Sequence, residues 1–169
     1  RKGTLDLMAA MATVNAVRPD LALVIAGGET LFDYRDYRAS VLRLADALGV
    51  APVLLGPVDH AALPSLVAQA DAFAFPSTKE GFGLAAMEAL AAGVPVVARD
   101  LPVLREVFGA AVAYASTPAS LAEQLLEAVA APDEVRALRG RRLARGYDWA
   151  TAARAHLAFY ARLGALAPP

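Results

Sequence analysis

The chain has 169 residues, 16 basic against 17 acidic side chains, 57% hydrophobic residues, no cysteine and one tryptophan. That length suits one domain, and an apolar, nearly neutral composition excludes disorder. Zero cysteines exclude a disulfide scaffold, a zinc–cysteine site and a cysteine nucleophile. The balanced charge argues against a nucleic-acid partner. No uncharged run reaches the roughly 18 apolar residues that a membrane span needs, and a cytoplasmic setting is compatible with the composition.

Residues 3–17 read as a helix stopped by Pro19 and Asp20. The apolar run 21–26 reads as a strand ended by Gly27 and Gly28. Helical spacing returns over 33–48 and ends at Gly49. A second strand, 52–55, ends at Gly56 and Pro57, and Asp59 is the expected N-cap of a helix through Gln69. Strand 72–75 ends at Pro76, helix 83–92 at Gly93, and strand 95–98 is followed by a short helix, 102–108. A last strand, 111–114, precedes three helices in series, 118–130, 132–145 and 149–163, and the tail 167–169 reads as frayed.

None of these strands alternates apolar with polar residues. Continuous apolar strands belong to a parallel sheet covered on both faces. Strand–helix alternation then predicts an α/β fold with a doubly wound, Rossmann-like parallel sheet and helices on both faces. Such a sheet opens with a strand near its centre, whereas the first element here is a helix. We therefore expect a first strand to precede Arg1, outside this chain.

The segment from Phe75 to Gly93 runs from a strand end through a glycine loop into a helix. Ligands bind doubly wound sheets beyond the carboxyl ends of the strands. Gly81 and Gly83 permit close backbone approach, and the unpaired N–H groups at 83–85 would face a ligand with the helix dipole behind them. That is a ready anion site, with phosphate its usual guest. Glu80 precedes the loop, and Glu88 lies about 7–8 Å along the helix. Glu88 is the one charged residue between Gly81 and Ala98, so we expect it half-buried or more and partnered, since burying a lone carboxylate costs several kcal/mol. Taken singly, Glu88 could face solvent and Glu80 could cap the helix. Lys2, one of only two lysines, reads either as an anion ligand or as a solvated helix start.

Glu80-Gly-Phe-Gly-Leu-Ala-Ala-Met-Glu88 resembles the Glu-x7-Glu motif of retaining group 1 glycosyltransferases with the GT-B fold. Lys2-Gly3, 70–77, 89–97 and Tyr147-Asp-Trp149 extend the resemblance over nearly the whole chain. It is to the C-terminal, nucleotide-sugar-binding half of a two-domain enzyme. The resemblance implies that residues 1–169 form one donor-binding domain, with helix 148–165 directed toward an absent N-terminal domain that holds the acceptor. It implies that Glu80 and Lys2 are catalytic: Glu80 beside the reacting carbon of the sugar, Lys2 on the leaving diphosphate. Gly81, Phe82, Gly83 and Leu84 would hold sugar and diphosphate, Glu88 the ribose, and the loop at Val58 the base. The donor would be a UDP- or GDP-sugar, with no metal and no further cofactor. The stretch Asp100-Leu-Pro-Val-Leu-Arg-Glu106 resembles a subgroup linked to mannose or similar sugars.

Gly28 could approach the nucleotide or simply turn the chain. His60 and His156 read as surface or packing residues, and Asp33 and Asp36 as a solvated helix face. Arg136, Arg139, Arg141, Arg142 and Arg145 read as a solvated helix or as a peripheral contact with an anionic membrane surface. Trp149, Leu157, Phe159 and Tyr160 either pack into this domain's core or meet the partner domain. Two alternatives to glycosyl transfer remain at this point. One is a non-catalytic nucleotide-binding or interaction module of the same fold. The other is a GT-B relative such as a sugar-nucleotide epimerase or a phosphorylase.

Overall fold

The computed structural model describes residues 2–28 and 35–166. Arg1, Glu29, Thr30, Asp33 and the tail 167–169 fall outside the described residues. In chain order the elements are α1 (Thr4–Val17), β1 (Val24–Ala26), α2 (Arg35–Ala47), β2 (Val53–Gly56), α3 (Leu63–Val67), β3 (Phe73–Phe75) and α4 (Leu84–Ala92). Then follow β4 (Val96–Arg99), α5 (Pro102–Phe108), β5 (Ala113–Ala115), α6 (Pro118–Ala130), α7 (Glu134–Arg145) and α8 (Trp149–Leu166). Every strand pair is parallel: β1 with β2, β3 with β4, and β4 with β5.

Side chains alternate across a strand, and here that alternation feeds two cores. Val97, Ala113 and Ala115 join Met8, Val14, Val41 and Leu121 in a cluster built with α1, α2 and α6. Phe75, Val96, Ala98 and Val112 join Met87, Leu90, Leu104 and Phe108 in a second cluster with α4 and α5. β4 is buried along Val96, Val97 and Ala98, as a strand covered on both faces must be. α7 covers α4 closely because Gly140 lies against Leu90; a Cβ there would stand 2.7 Å from Leu90 Cδ2.

The strands fall into two pieces, β1–β2 and β3–β4–β5. Laid out as one doubly wound sheet, they would read β2, β1, break, β3, β4, β5. A doubly wound sheet runs 3-2-1-4-5-6, so the break falls where its first strand stands. Among the described residues no strand bridges β1 and β3. The expectation of continuous burial fails for the smaller piece: Val24, Val53, Leu54 and Leu55 are exposed, and since successive strand residues face opposite sides, β2 is left uncovered on both faces among the described residues. The helix predicted over 59–69 is also shorter. Asp59 forms a turn instead, accepting from the N–H groups of Ala61, Ala62 and Leu63, and α3 begins only at Leu63, with Pro64 in its first turn.

Candidate functional site

α4 starts abruptly because Gly83 takes φ 96°, a left-handed conformation that suits glycine. Its backbone presses on two aromatic rings: a Cβ at Gly83 would lie 3.0 Å from Phe108 Cζ and 3.3 Å from Phe75 Cε1. No side chain caps the helix, and its first internal bond runs from Met87 N to Gly83 O at 3.0 Å. The N–H groups of Leu84, Ala85 and Ala86 therefore remain as donors at the positive end of the helix dipole. This end is open. Gly81, Leu84, Ala85 and Glu88 are exposed, Leu84 to 65%.

α1 enters beside the same loop. Gly3, at φ 72°, backs onto the end of β3 so closely that a Cβ would meet the Pro76 carbonyl oxygen at 2.0 Å. That approach brings Lys2 to Glu80: Nζ donates to Oε1 at 2.6 Å. The carboxylate is 12% exposed and the lysine 67%. Lys2 Nζ also lies 6.0 Å from the centre of the Phe75 ring. Two residues 78 apart in sequence thus form one charged pair at the mouth of the glycine loop.

Glu88 is not half-buried, as its sequence setting suggests. α4 buries Ala86, Met87, Ala89 and Leu90, and Glu88 points away from that stripe into solvent without a partner among the described residues. The apolar composition of the helix does not decide the exposure of this residue; its angle around the axis does. Phe82 is half-buried and meets Tyr147 edge-on, with centroids 5.1 Å apart. Gly28 touches Pro57, and Gly27 N donates to Gly56 O at 2.8 Å, so Gly28 and the half-buried Val58 share the ends of β1 and β2. Gly28 and Val58 thus follow the ends of β1 and β2, the segment 80–84 follows β3, and Glu88 lies in the second turn of α4. The structure brings Lys2 and Glu80 into contact, whereas Gly28, Val58 and Glu88 sit on separate segments.

Two features escaped the sequence reading. Phe75 and Phe108 form the floor beneath Gly83, and Arg99 ties α1 to the strand ends. Residues 100–106 turn out to hold one another: the Arg105 fork grips Asp100, and its guanidinium lies 4.5 Å over the Tyr114 ring. The arginine holds the Asp100 carboxyl below the usual carboxylate range. Along α7, Arg136 faces Asp133 at 3.7 Å, Arg139 donates to the Ala110 carbonyl, and Arg141 packs on Gly93, while Arg142 and Arg145 are solvated. His156 is exposed and bonds its own helix at Ala152 O. The large apolar side chains of α8 do not enter this domain's core: Trp149, Leu157, Phe159 and Tyr160 are exposed. No group of three or more acidic, histidine or cysteine residues able to hold a metal occurs among the described residues. No helix among them is long and apolar enough to cross a membrane.

Residues 1–141 match the family described as "Glycosyl transferases group 1". The chain belongs to this glycosyltransferase family. A glycogen synthase of Mycobacterium tuberculosis is 34% identical over 167 residues, covering 94% of this chain and 39% of that protein. A phosphatidyl-myo-inositol mannosyltransferase of Propionibacterium freudenreichii is 30% identical over 171 residues, covering 97% and 41%. The chain thus spans about two-fifths of the length of these curated relatives. Among solved structures, the sucrose-phosphate synthase of Thermosynechococcus elongatus superposes with TM-score 0.85 at 25% identity, over 99% of this chain and 43% of its own. Anabaena HepE, solved with UDP and glucose, gives TM-score 0.74 at 25% identity, over 85% and 40%.

Proposed function

We propose that this glycosyltransferase chain is the nucleotide-sugar-binding domain of a retaining enzyme, and that its donor is a UDP- or GDP-sugar. The observation that carries the reading is the Lys2–Glu80 pair at 2.6 Å beside the uncapped, glycine-opened start of α4. HepE, similar over 85% of this chain, was solved with UDP and glucose. A relative from Komagataeibacter xylinus, 32% identical over 160 residues, is named a GDP-mannose:cellobiosyl-diphosphopolyprenol alpha-mannosyltransferase. The two names support a nucleoside diphosphate while leaving the base open.

In this reading the donor diphosphate lies against the N–H groups of Leu84, Ala85 and Ala86 and meets the Lys2 ammonium that Glu80 holds beside them. The second oxygen of the Glu80 carboxylate then accepts from a sugar hydroxyl beside the reacting carbon. As the bond between that carbon and the diphosphate oxygen breaks, negative charge builds on the leaving group. Fixed donors aimed at that charge lower the barrier. Glu88, solvent-facing without ligand, would accept from the ribose hydroxyls, and Gly28 and Val58 would border the base. Gly81 and Phe82 complete the loop over the sugar. Lys2 and the helix end supply the positive charge, so nucleotide binding should survive a metal chelator.

The acceptor would be held by a further, N-terminal domain, and the exposed apolar face of α8 would meet it. Family membership favours transfer over a non-catalytic nucleotide module or an epimerase. A cytoplasmic setting fits the cysteine-free sequence, and the solvated arginines of α7 would serve a peripheral membrane contact. Liposome binding unchanged after their replacement would remove that last element.

Thermal unfolding with UDP, GDP and ADP tests the core of the reading. Ligand at 100 times its dissociation constant should add about 2.7 kcal/mol. No shift with any nucleotide would refute donor binding. A shift that survives intact in Glu88→Ala would keep the site but remove the ribose role. In the whole enzyme, Glu80→Ala should abolish transfer.

A further inference from the structure

We propose that Arg99 is the positioning residue that brings Lys2 and Glu80 together, a role that rests on the donor reading of that pair. Arg99 ends β4, and its side chain is only 13% exposed. Its Nε and Nη2 both donate to the Pro76 carbonyl at 3.2 Å, and Nη1 donates to the Ser116 carbonyl at 3.0 Å. Nη2 also bonds Asp6 in the first turn of α1. One guanidinium therefore joins the ends of β3, β4 and β5 to the start of α1.

The placement of these grips is what matters. Asp6, in the first turn of α1, lies four residues beyond Lys2, and Pro76 lies four residues before Glu80. Arg99 thus holds each partner of the ion pair by a short lever. The same Pro76 carbonyl is the atom against which Gly3 is packed. Without the fork, α1 and the loop 76–83 lose a side-chain tie that they share in addition to the pair itself. A lysine cannot replace it: a single ammonium lacks the planar set of donors that reaches a carboxylate and two carbonyls together. The neighbouring sequence gives no pattern for this role, because the partners are 93, 23 and 17 residues away.

The chain has only two lysines, Lys2 and Lys79, which makes the ammonium nitrogens a direct readout. With 15N-lysine, the Lys2 ammonium held by Glu80 should exchange slowly and give an NMR signal, assigned by its survival in Lys79→Arg. We expect Arg99→Lys and Asp6→Asn to fold, as amide spectra of the remote α6 and α7 would show, yet to lose the Lys2 signal. On the same samples the dissociation constant for UDP or GDP should rise about tenfold, within the range of coupling between contacting residues. A role confined to stability predicts a lower melting temperature with the Lys2 signal and the nucleotide affinity unchanged, and that result overturns the proposal. A wild-type chain without a Lys2 signal overturns it as well. If the wild type shows the signal but binds neither nucleotide, the donor reading falls, while the Lys2 signal in the variants still decides what Arg99 does.

Discussion

At Gly83 the backbone takes a left-handed turn directly against the rings of Phe75 and Phe108, and this fixes where the donors of α4 point. Gly83→Ala meets both the unfavourable φ and the rings. We expect a loss of about 1–3 kcal/mol in urea unfolding, together with a loss of UDP or GDP binding in calorimetry. An alanine variant with wild-type affinity would show that the loop tolerates a shift and that the floor is not critical. The glycine was legible because strand, glycine and helix follow one another in the sequence. The place of Glu80 beside the loop was legible in the same way, while the role of Glu88 rests on the proposed donor site. The Lys2–Glu80 contact and the Arg99 fork were not, since each joins residues far apart in the chain. Glu88 was placed too deep because its neighbours are apolar, although they lie on another side of the same helix.

Among the elements, α6 has the most complete start. The Thr117 side chain accepts from Ser120 N, and the Ser120 hydroxyl in turn accepts from Thr117 N at 3.0 Å. Thr117→Ala removes one arm of this reciprocal cap and should cost about 1 kcal/mol in chemical denaturation. α8 begins differently, with Asp148 accepting from the N–H and hydroxyl of Thr151 at 2.7 and 2.6 Å. Those bonds hold the Asp148 carboxyl below the usual carboxylate range. A depressed pKa in the folded state means that the cap contributes fully above the unfolded pKa of about 3.9. The contribution fades as pH falls through the lowered value. Far-ultraviolet circular dichroism should therefore show an acid-dependent loss of helix in the wild type that is smaller in Asp148→Ala. Equal acid profiles would contradict a capping role. Helix positions were readable from glycine and proline punctuation. The start of α3 was not, because Asp59 can organise a turn as readily as a helix.

For the whole molecule, the α/β class and the parallel order were readable from the alternation of apolar runs and helices. The break was anticipated only by the helix that opens the chain. The exposure of β1 and β2 was not anticipated, since apolar composition records a tendency toward burial rather than the neighbour that achieves it. β1 and β3 each present an edge without a strand partner among the described residues, and β2 adds exposed Val53, Leu54 and Leu55. Open edges template pairing with other chains. The 169-residue chain should accordingly self-associate as its concentration rises in sedimentation velocity, and strict monomers throughout would show that the edges are shielded. Trp149 stands at the start of α8, 89% exposed, and it is the chain's single tryptophan. Its fluorescence should begin at the long-wavelength, fully hydrated limit and move to shorter wavelength when anything settles over that helix. The molecule thus carries an optical gauge, needing no added dye, for the arrival of whatever covers α8.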